Sequence, residues 1–483
     1  MENLYLYKVS LNALIKICLY FLLFILSVFV LSFDYYCGKW VIFVLWVFGF
    51  IFIPRYNFVG FYFYLAFGLF FIVPIVLNGV NEYLSEGQLV HAIHLEESEV
   101  LTLLLSIVFF VGGFVLFSLF QRLFVEKSNY YLGRCDSCVI KNKSIFHLYM
   151  IIGFSIVSIF YLVKILAIQK YGYLAYHRGE LPVEKSFFLL LIEFSVLSGL
   201  VFGIYKKKNI FYFMLVVYGV LIMLTGQRMP GATIIFLSSL YCFTFLRRHA
   251  VVVVFASILF VPPVMNLIQY YRFFGIDGIT VERIFNYNDI FKVLGITIDT
   301  LKAAIDLDGF SGMNISLFYK PISIFYIFLE RVFGLNVAGF KLSLGSFGAV
   351  STNYYSPELF EKGVTFGSSA IAEAMYHFGF WGVFLSGMAF SFMSGFFSRM
   401  AVSDSVWGAL LFFVFSPRLF SAVRSDLIGW FFDGVIIFVF CGSFMFLMNY
   451  FFEPLRGRFG GEGQEMRMEI DSGDVSTCQG VRR

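Results

Sequence analysis

Apolar runs of membrane-crossing length recur along this chain, at about 12–33, 39–54, 58–78, 99–121, 145–165, 186–204, 210–225, 231–246, 250–270, 378–397, 405–420 and 428–452. Hydrocarbon satisfies no backbone polar group from outside, so such runs can cross it only as helices or as a closed barrel. Each run approaches the ~20 residues a spanning helix needs, too long for barrel strands. The expected fold class is therefore an all-α polytopic membrane protein with about 12 transmembrane helices. A charged fraction of 14% fits, since soluble domains carry about 25%. The first run is too long for the apolar core of a cleavable signal and lacks a small-x-small site, so it reads as a span.

Lysine and arginine give the orientation. With the N terminus inside, Arg55, Arg122, Lys127, Arg134, Lys141, Lys143, Lys206, Lys207, Lys208, Arg247, Arg248, Arg399, Arg456 and Arg458 all fall on one side. The 79–98 loop falls on the other, with Glu82, Glu86, Glu96 and Glu97 and neither Lys nor Arg. Basic residues concentrate on the cytoplasmic side of membrane proteins, so both termini are expected to be cytoplasmic. Four regions follow: helices 1–9 within 1–270, with outer loops 79–98 and 166–185; a large outer loop at 271–377; helices 10–12 within 378–452; and a Gly-rich, polar tail at 453–483 expected to be disordered. The large loop carries a helical pattern at about 288–308. An apolar run at 315–334 is interrupted by Lys320, Pro321, Glu330 and Arg331, as an interfacial or re-entrant helix would be.

On the outer side, arginine is ordinarily sparse. Arg178, Arg228, Arg272, Arg418 and Arg424 nevertheless sit there, each within a few residues of a span. Arg228 occupies a short gap, "LTGQRMPGATIIF", between the seventh and eighth runs. Guanidinium is permanently charged and its fork matches phosphate oxygens, so converging arginines make a pyrophosphate site. Snorkelling to lipid head groups is the competing reading of any one of them. His177 stands beside Arg178.

The second cluster is "TFGSSAIAEAMYHFGFWGVFLSG", 365–387. Glu373 and His377 are four apart and share a helical face, with Tyr376 beside them. An acid and an imidazole at a membrane entrance suit general-base work on a sugar hydroxyl; ordering the bundle is the alternative. No Walker loop, G-x-S-x-G, H-E-x-x-H or D-x-D pair is present. That pattern disfavours a nucleotide-sugar donor held by metal, and no metal or other cofactor is expected. Cys135 and Cys138 form a lone C-x-x-C, short of the four ligands of a structural zinc.

Gly226-Gln227-Arg228 between two spans, then a large outer loop, then "GSSAIAEAMYHFGFWGVFLSG" together resemble the Wzy-type O-antigen polymerases, the oligosaccharide repeat unit polymerases. The resemblance implies a GT-C-like fold in the bacterial inner membrane. It also implies transfer of a growing glycan from undecaprenyl pyrophosphate to a new lipid-linked repeat unit, on the periplasmic face and without a metal. Its functional arginines map best to Arg228 and less closely to Arg178, Arg272 and Arg418. The implied partners are the lipid-linked glycan, the bilayer, a chain-length regulator and a flippase, with no nucleic acid. An O-antigen ligase shares this donor and fold type, and a flippase or other transporter shares the twelve-span layout. Against a transporter stand the large outer loop, the absence of a visible repeat, and an expected absence of charge deep in paired helices.

Overall fold

The computed structural model describes residues 11–34, 37–54, 57–78, 97–124, 142–171, 187–205, 209–225, 279–286, 296–307, 347–355, 368–403, 405–424 and 426–452, with isolated positions between 231 and 357. The described elements are helical, apart from one two-residue parallel pairing of β1 (Asn314–Ile315) with β2 (Leu344–Gly345). In chain order the helices are α1 (Leu11–Phe33), α2 (Gly38–Phe52), α3 (Phe58–Phe67), α4 (Val73–Asn78), α5 (Glu97–Phe124), α6 (Lys143–Tyr171), α7 (Phe187–Tyr205) and α8 (Asn209–Leu224). They continue with α9 (Val281–Ile284), α10 (Ile296–Asp306), α11 (Phe347–Tyr355), α12 (Ala370–Ala401), α13 (Val406–Ser421) and α14 (Gly429–Phe452). A π-helical turn, Gly68–Ile72, joins α3 to α4, and a 3-10 turn, Ala422–Arg424, follows α13.

Seven helices are long and apolar enough to cross a membrane: Leu14–Phe33, Phe58–Val76, Ser98–Gln121, Lys143–Tyr171, Phe188–Tyr205, Ala370–Ala401 and Gly429–Phe451. Three shorter apolar helices, Gly38–Phe52, Ile210–Leu224 and Val406–Ser421, pack among them. Ten of the expected runs thus coincide with helices; those at 231–246 and 250–270 lie almost wholly outside the described residues. So do most of the 79–98 and 166–185 loops, most of 315–334 and the 453–483 tail. Leu22, Ile25, Ile151, Ile159 and Phe446 point away from the bundle. A continuous apolar exterior of this kind is a lipid-facing surface.

The span expected at 378–397 belongs to a longer helix, α12, which begins at Ala370. Ser369 sets the start: its extended backbone and its Oγ, which accepts from the Ala372 N–H at 3.1 Å, make it an N-cap. Hydropathy alone missed this turn because Glu373 and His377 lower it.

Helices α5 and α12 form the central pair. A Cβ on Gly113 would sit 2.1 Å from the Phe384 carbonyl oxygen, and one on Gly387 would sit 2.3 Å from that of Phe110. Small residues at such a contact let two backbones approach, the usual device where no hydrophobic drive between helices operates. Further along, Ser118 and Ser391 share a hydrogen bond of 2.7 Å, and Gln121 Nε2 donates to the Ser391 carbonyl at 3.2 Å. Asn57 caps α3 through the Gly60 N–H (2.8 Å) and donates to Ser394 Oγ (3.2 Å). Phe63 stacks between Phe114 and Phe390 at 5.6 and 5.2 Å. Gly387→Leu should therefore force α5 and α12 apart, since backbone atoms cannot rotate away. The expected loss is about 3 kcal/mol or more, read as a lower melting temperature in detergent and reduced membrane abundance. An unchanged melting temperature would contradict this contact.

Helix α7 is the hub of the second half, packing on α6, α8, α13 and α14, while α13 also reaches α12. Phe146 near the start of α6 meets Phe202 near the end of α7 (5.5 Å) and Phe211 near the start of α8 (5.4 Å). The opposite end of this group, where α7, α12 and α14 begin and α6, α8 and α13 finish, is called the upper end below. The expected helical pattern at 288–308 corresponds in part to α10, which packs on α5, α11 and α12. Within α10, Lys302 Nζ pairs with Asp306 Oδ2 at 2.9 Å, and the Tyr355 hydroxyl of α11 donates to the same oxygen, tying α10 to α11.

Candidate functional site

Two polar clusters lie at or below the upper end. The first is built on the opening turns of α12. Glu373 is 2% exposed, and its Oε2 accepts a hydrogen bond from the backbone N–H of Leu427, in the turn between α13 and α14. Asp426 in that turn lies close enough to interact electrostatically with Glu373. Tyr376 and His377 follow on the same helix, their rings 5.1 Å apart. Tyr376 also meets Phe347 of α11 at 5.8 Å, and α10 packs on the same helix. His377 Nε2 is buried and has no hydrogen-bond partner among the described residues. Glu373 and His377 therefore share one segment, as their spacing implies.

That segment is set off by Gly379, whose φ of 61° and ψ of −156° break the helix inside α12. This region of backbone space is essentially reserved for glycine. A Cβ there would meet nothing within 4 Å, so the demand is conformational and not steric. The break is the identified cause of the kink, and it lets 370–378 take a direction different from that of 380–401.

The second cluster lies deeper and escaped the reading from sequence. Glu193, in the upper part of α7, is 7% exposed. Its Oε1 accepts from the hydroxyls of Tyr161 on α6 (2.7 Å) and Tyr218 on α8 (2.5 Å). Lys164 of α6, also 7% exposed, interacts electrostatically with Glu193 and lies 5.9 Å over the Tyr161 ring. Across α7, Arg418 sits in the last turn of α13 with Asp433 of α14 and Tyr218 as electrostatic neighbours, and its Nη1 donates to the Val414 carbonyl of its own helix. The expectation that paired helices carry no charge at depth is thus overturned. Glu193 and Lys164 each stand alone in an apolar run, and their partners come from other helices. A lone ionisable residue in a span is itself a functional flag, and that signal was present.

Of the other expected site residues, His177, Arg178, Arg228 and Arg272 lie outside the described residues. Arg424 closes the 3-10 turn, and only its backbone is described. Arg418 and Glu373 are joined through one element, the α13–α14 connection that carries Leu427. Among the described residues no three His, Cys, Asp or Glu side chains converge as metal ligands would. Cys441 is buried and Cys18 faces outward, both as free thiols.

A bundle of long apolar helices with a lipid-facing exterior and buried charge at one end defines a multi-pass membrane protein. The family model for the O-antigen polysaccharide polymerase Wzy matches residues 13–453, nearly the whole chain. The chain belongs to that family and is an O-antigen repeat-unit polymerase, which decides against the ligase and flippase readings. No curated protein and no solved structure matches it.

Proposed function

We propose that the chain extends O-antigen by moving a growing glycan from undecaprenyl pyrophosphate onto a new lipid-linked repeat unit, at the periplasmic face of the bacterial inner membrane and without a metal. The proposed frame is a GT-C-like bundle of about 12 spans, with both termini cytoplasmic and 271–377 as the large periplasmic loop. Chain-length regulator and flippase are the proposed partners. The observation that carries the reading is the pairing of a family match over 13–453 with a buried acid, Glu373, at one bundle end.

Glu373 takes the proton of the attacking sugar hydroxyl, assisted by His377, whose buried Nε2 is available to a ligand. That hydroxyl attacks the anomeric carbon directly, so the C–O bond to pyrophosphate breaks as the glycosidic bond forms, with inversion. Arg228 meets the charge growing on pyrophosphate. Arg178, Arg272, Arg418 and Arg424 bind its oxygens or the glycan, and His177 and Tyr376 contact sugar. Arg418 is the member of this set with its own acid neighbour, Asp433, so part of its charge is already balanced.

The test is the lipopolysaccharide of a deletion strain. A single repeat on the core, restored to a ladder by the wild-type chain, is expected. Core without any repeat would place the block at translocation of the repeat unit or at ligation to the core, and overturn the reading.

A further inference from the structure

Glu193 forms a hub, and nothing in the proposed chemistry uses it. An ionisable group in a span is costly to insert, and such groups persist where they have a task and partners. Here two phenols donate to one carboxylate oxygen. Among the described residues, Lys164 neighbours Glu193, and Arg418 neighbours Asp433 and Tyr218, so two cations and two anions meet across α6, α7, α8, α13 and α14. Both candidate reaction groups are joined along the chain to helices of this network. Arg228 follows α8 by four residues, and Tyr218, the partner of Glu193, lies in the upper part of α8. The Leu427 N–H that holds Glu373 lies beyond the last turn of α13, which carries Arg418.

We infer that Glu193 is a positioning residue for the polymerase reaction: by binding Tyr161 and Tyr218 opposite Lys164, with Arg418 beside Tyr218, it fixes the end of α8, which Arg228 follows in sequence, and the end of α13, which leads to the Leu427 turn. This inference rests on the reading above, in which Arg228 and Glu373 act on the substrate. Glu193 touches no substrate in this scheme; it acts through the two helices it ties together.

The test uses the full chain in membrane vesicles, with undecaprenyl-pyrophosphate-linked repeat unit extracted from a polymerase-deletion strain as substrate. Turnover is expressed per molecule of polymerase, and KM and kcat are measured separately. Glu193→Ala should lower kcat by about 100-fold, the scale of a small misplacement of reacting groups, with KM changed less than about threefold. Glu193→Gln, equal in size and still able to accept from both hydroxyls, should recover most of that loss. The Tyr161→Phe, Tyr218→Phe double variant should add little to Glu193→Ala, because residues acting through one group are non-additive. Wild-type kcat per molecule in Glu193→Ala, or loss of abundance in both Glu193 variants, would reduce Glu193 to a fold residue and overturn the inference. Full activity in Arg228→Ala and Glu373→Gln would instead remove the reading on which it rests.

Discussion

Cells whose only polymerase carries Arg228→Ala are expected to make lipopolysaccharide with a single repeat, although the protein reaches the membrane in normal amount. Pyrophosphate departs with growing negative charge, and removing one preorganised donor from such a group costs about 10²–10³ in turnover. Arg228→Lys should fall between wild type and alanine, because an ammonium restores charge but lacks the planar fork that meets two phosphate oxygens. Silver-stained gels beside a membrane blot read both properties. A full-length ladder from Arg228→Ala would return this residue to the status of a membrane anchor.

Glu373 gives the second large effect, and its geometry separates two roles. Its side chain both holds the Leu427 N–H and, in the proposed mechanism, takes the proton of the acceptor hydroxyl. Glutamine keeps an oxygen for the amide but is no base. Glu373→Gln should therefore preserve abundance and thermal stability while lowering turnover by about 10²–10⁴, the range of general-base catalysis. Glu373→Ala should lose turnover and also loosen the α13–α14 turn, lowering the melting temperature. If Glu373→Gln polymerises normally and only Glu373→Ala fails, the carboxylate is a clasp for Leu427 and the base lies elsewhere, with His377 the next to replace.

Legibility from sequence divides along physical lines. Ten apolar runs coincide with helices because a spanning helix is encoded locally, by length and hydropathy. The start of α12 was less visible: Ser369 signals it chemically, but the hydropathy of the next turn is lowered by Glu373 and His377. The Glu373–His377 face was legible from spacing; the Leu427 amide, from a turn more than fifty residues away, was not. Glu193 was hidden for a related reason. Its hydrogen-bond partners are two among 29 tyrosines, and which tyrosines face an acid is decided by packing between helices. The close contact of α5 with α12 is an intermediate case, since Gly113 and Gly387 are conspicuous singly but their apposition is not.

The break at Gly379 has a consequence for how such a polymerase can change its specificity. Below it, α12 is wedged against α5 by backbone contacts that tolerate no added atom; above it, Glu373, Tyr376 and His377 ride on a short segment whose remaining contacts are side-chain ones, such as Ser106 on Met375. Side chains repack where backbones cannot. Substitutions on that segment, or in α10 and α11 beside it, can therefore reshape it toward a different sugar while the tightly wedged stem stays as it is. A lineage under pressure to vary its surface glycan could thus diversify the tip of this helix and leave its anchorage untouched.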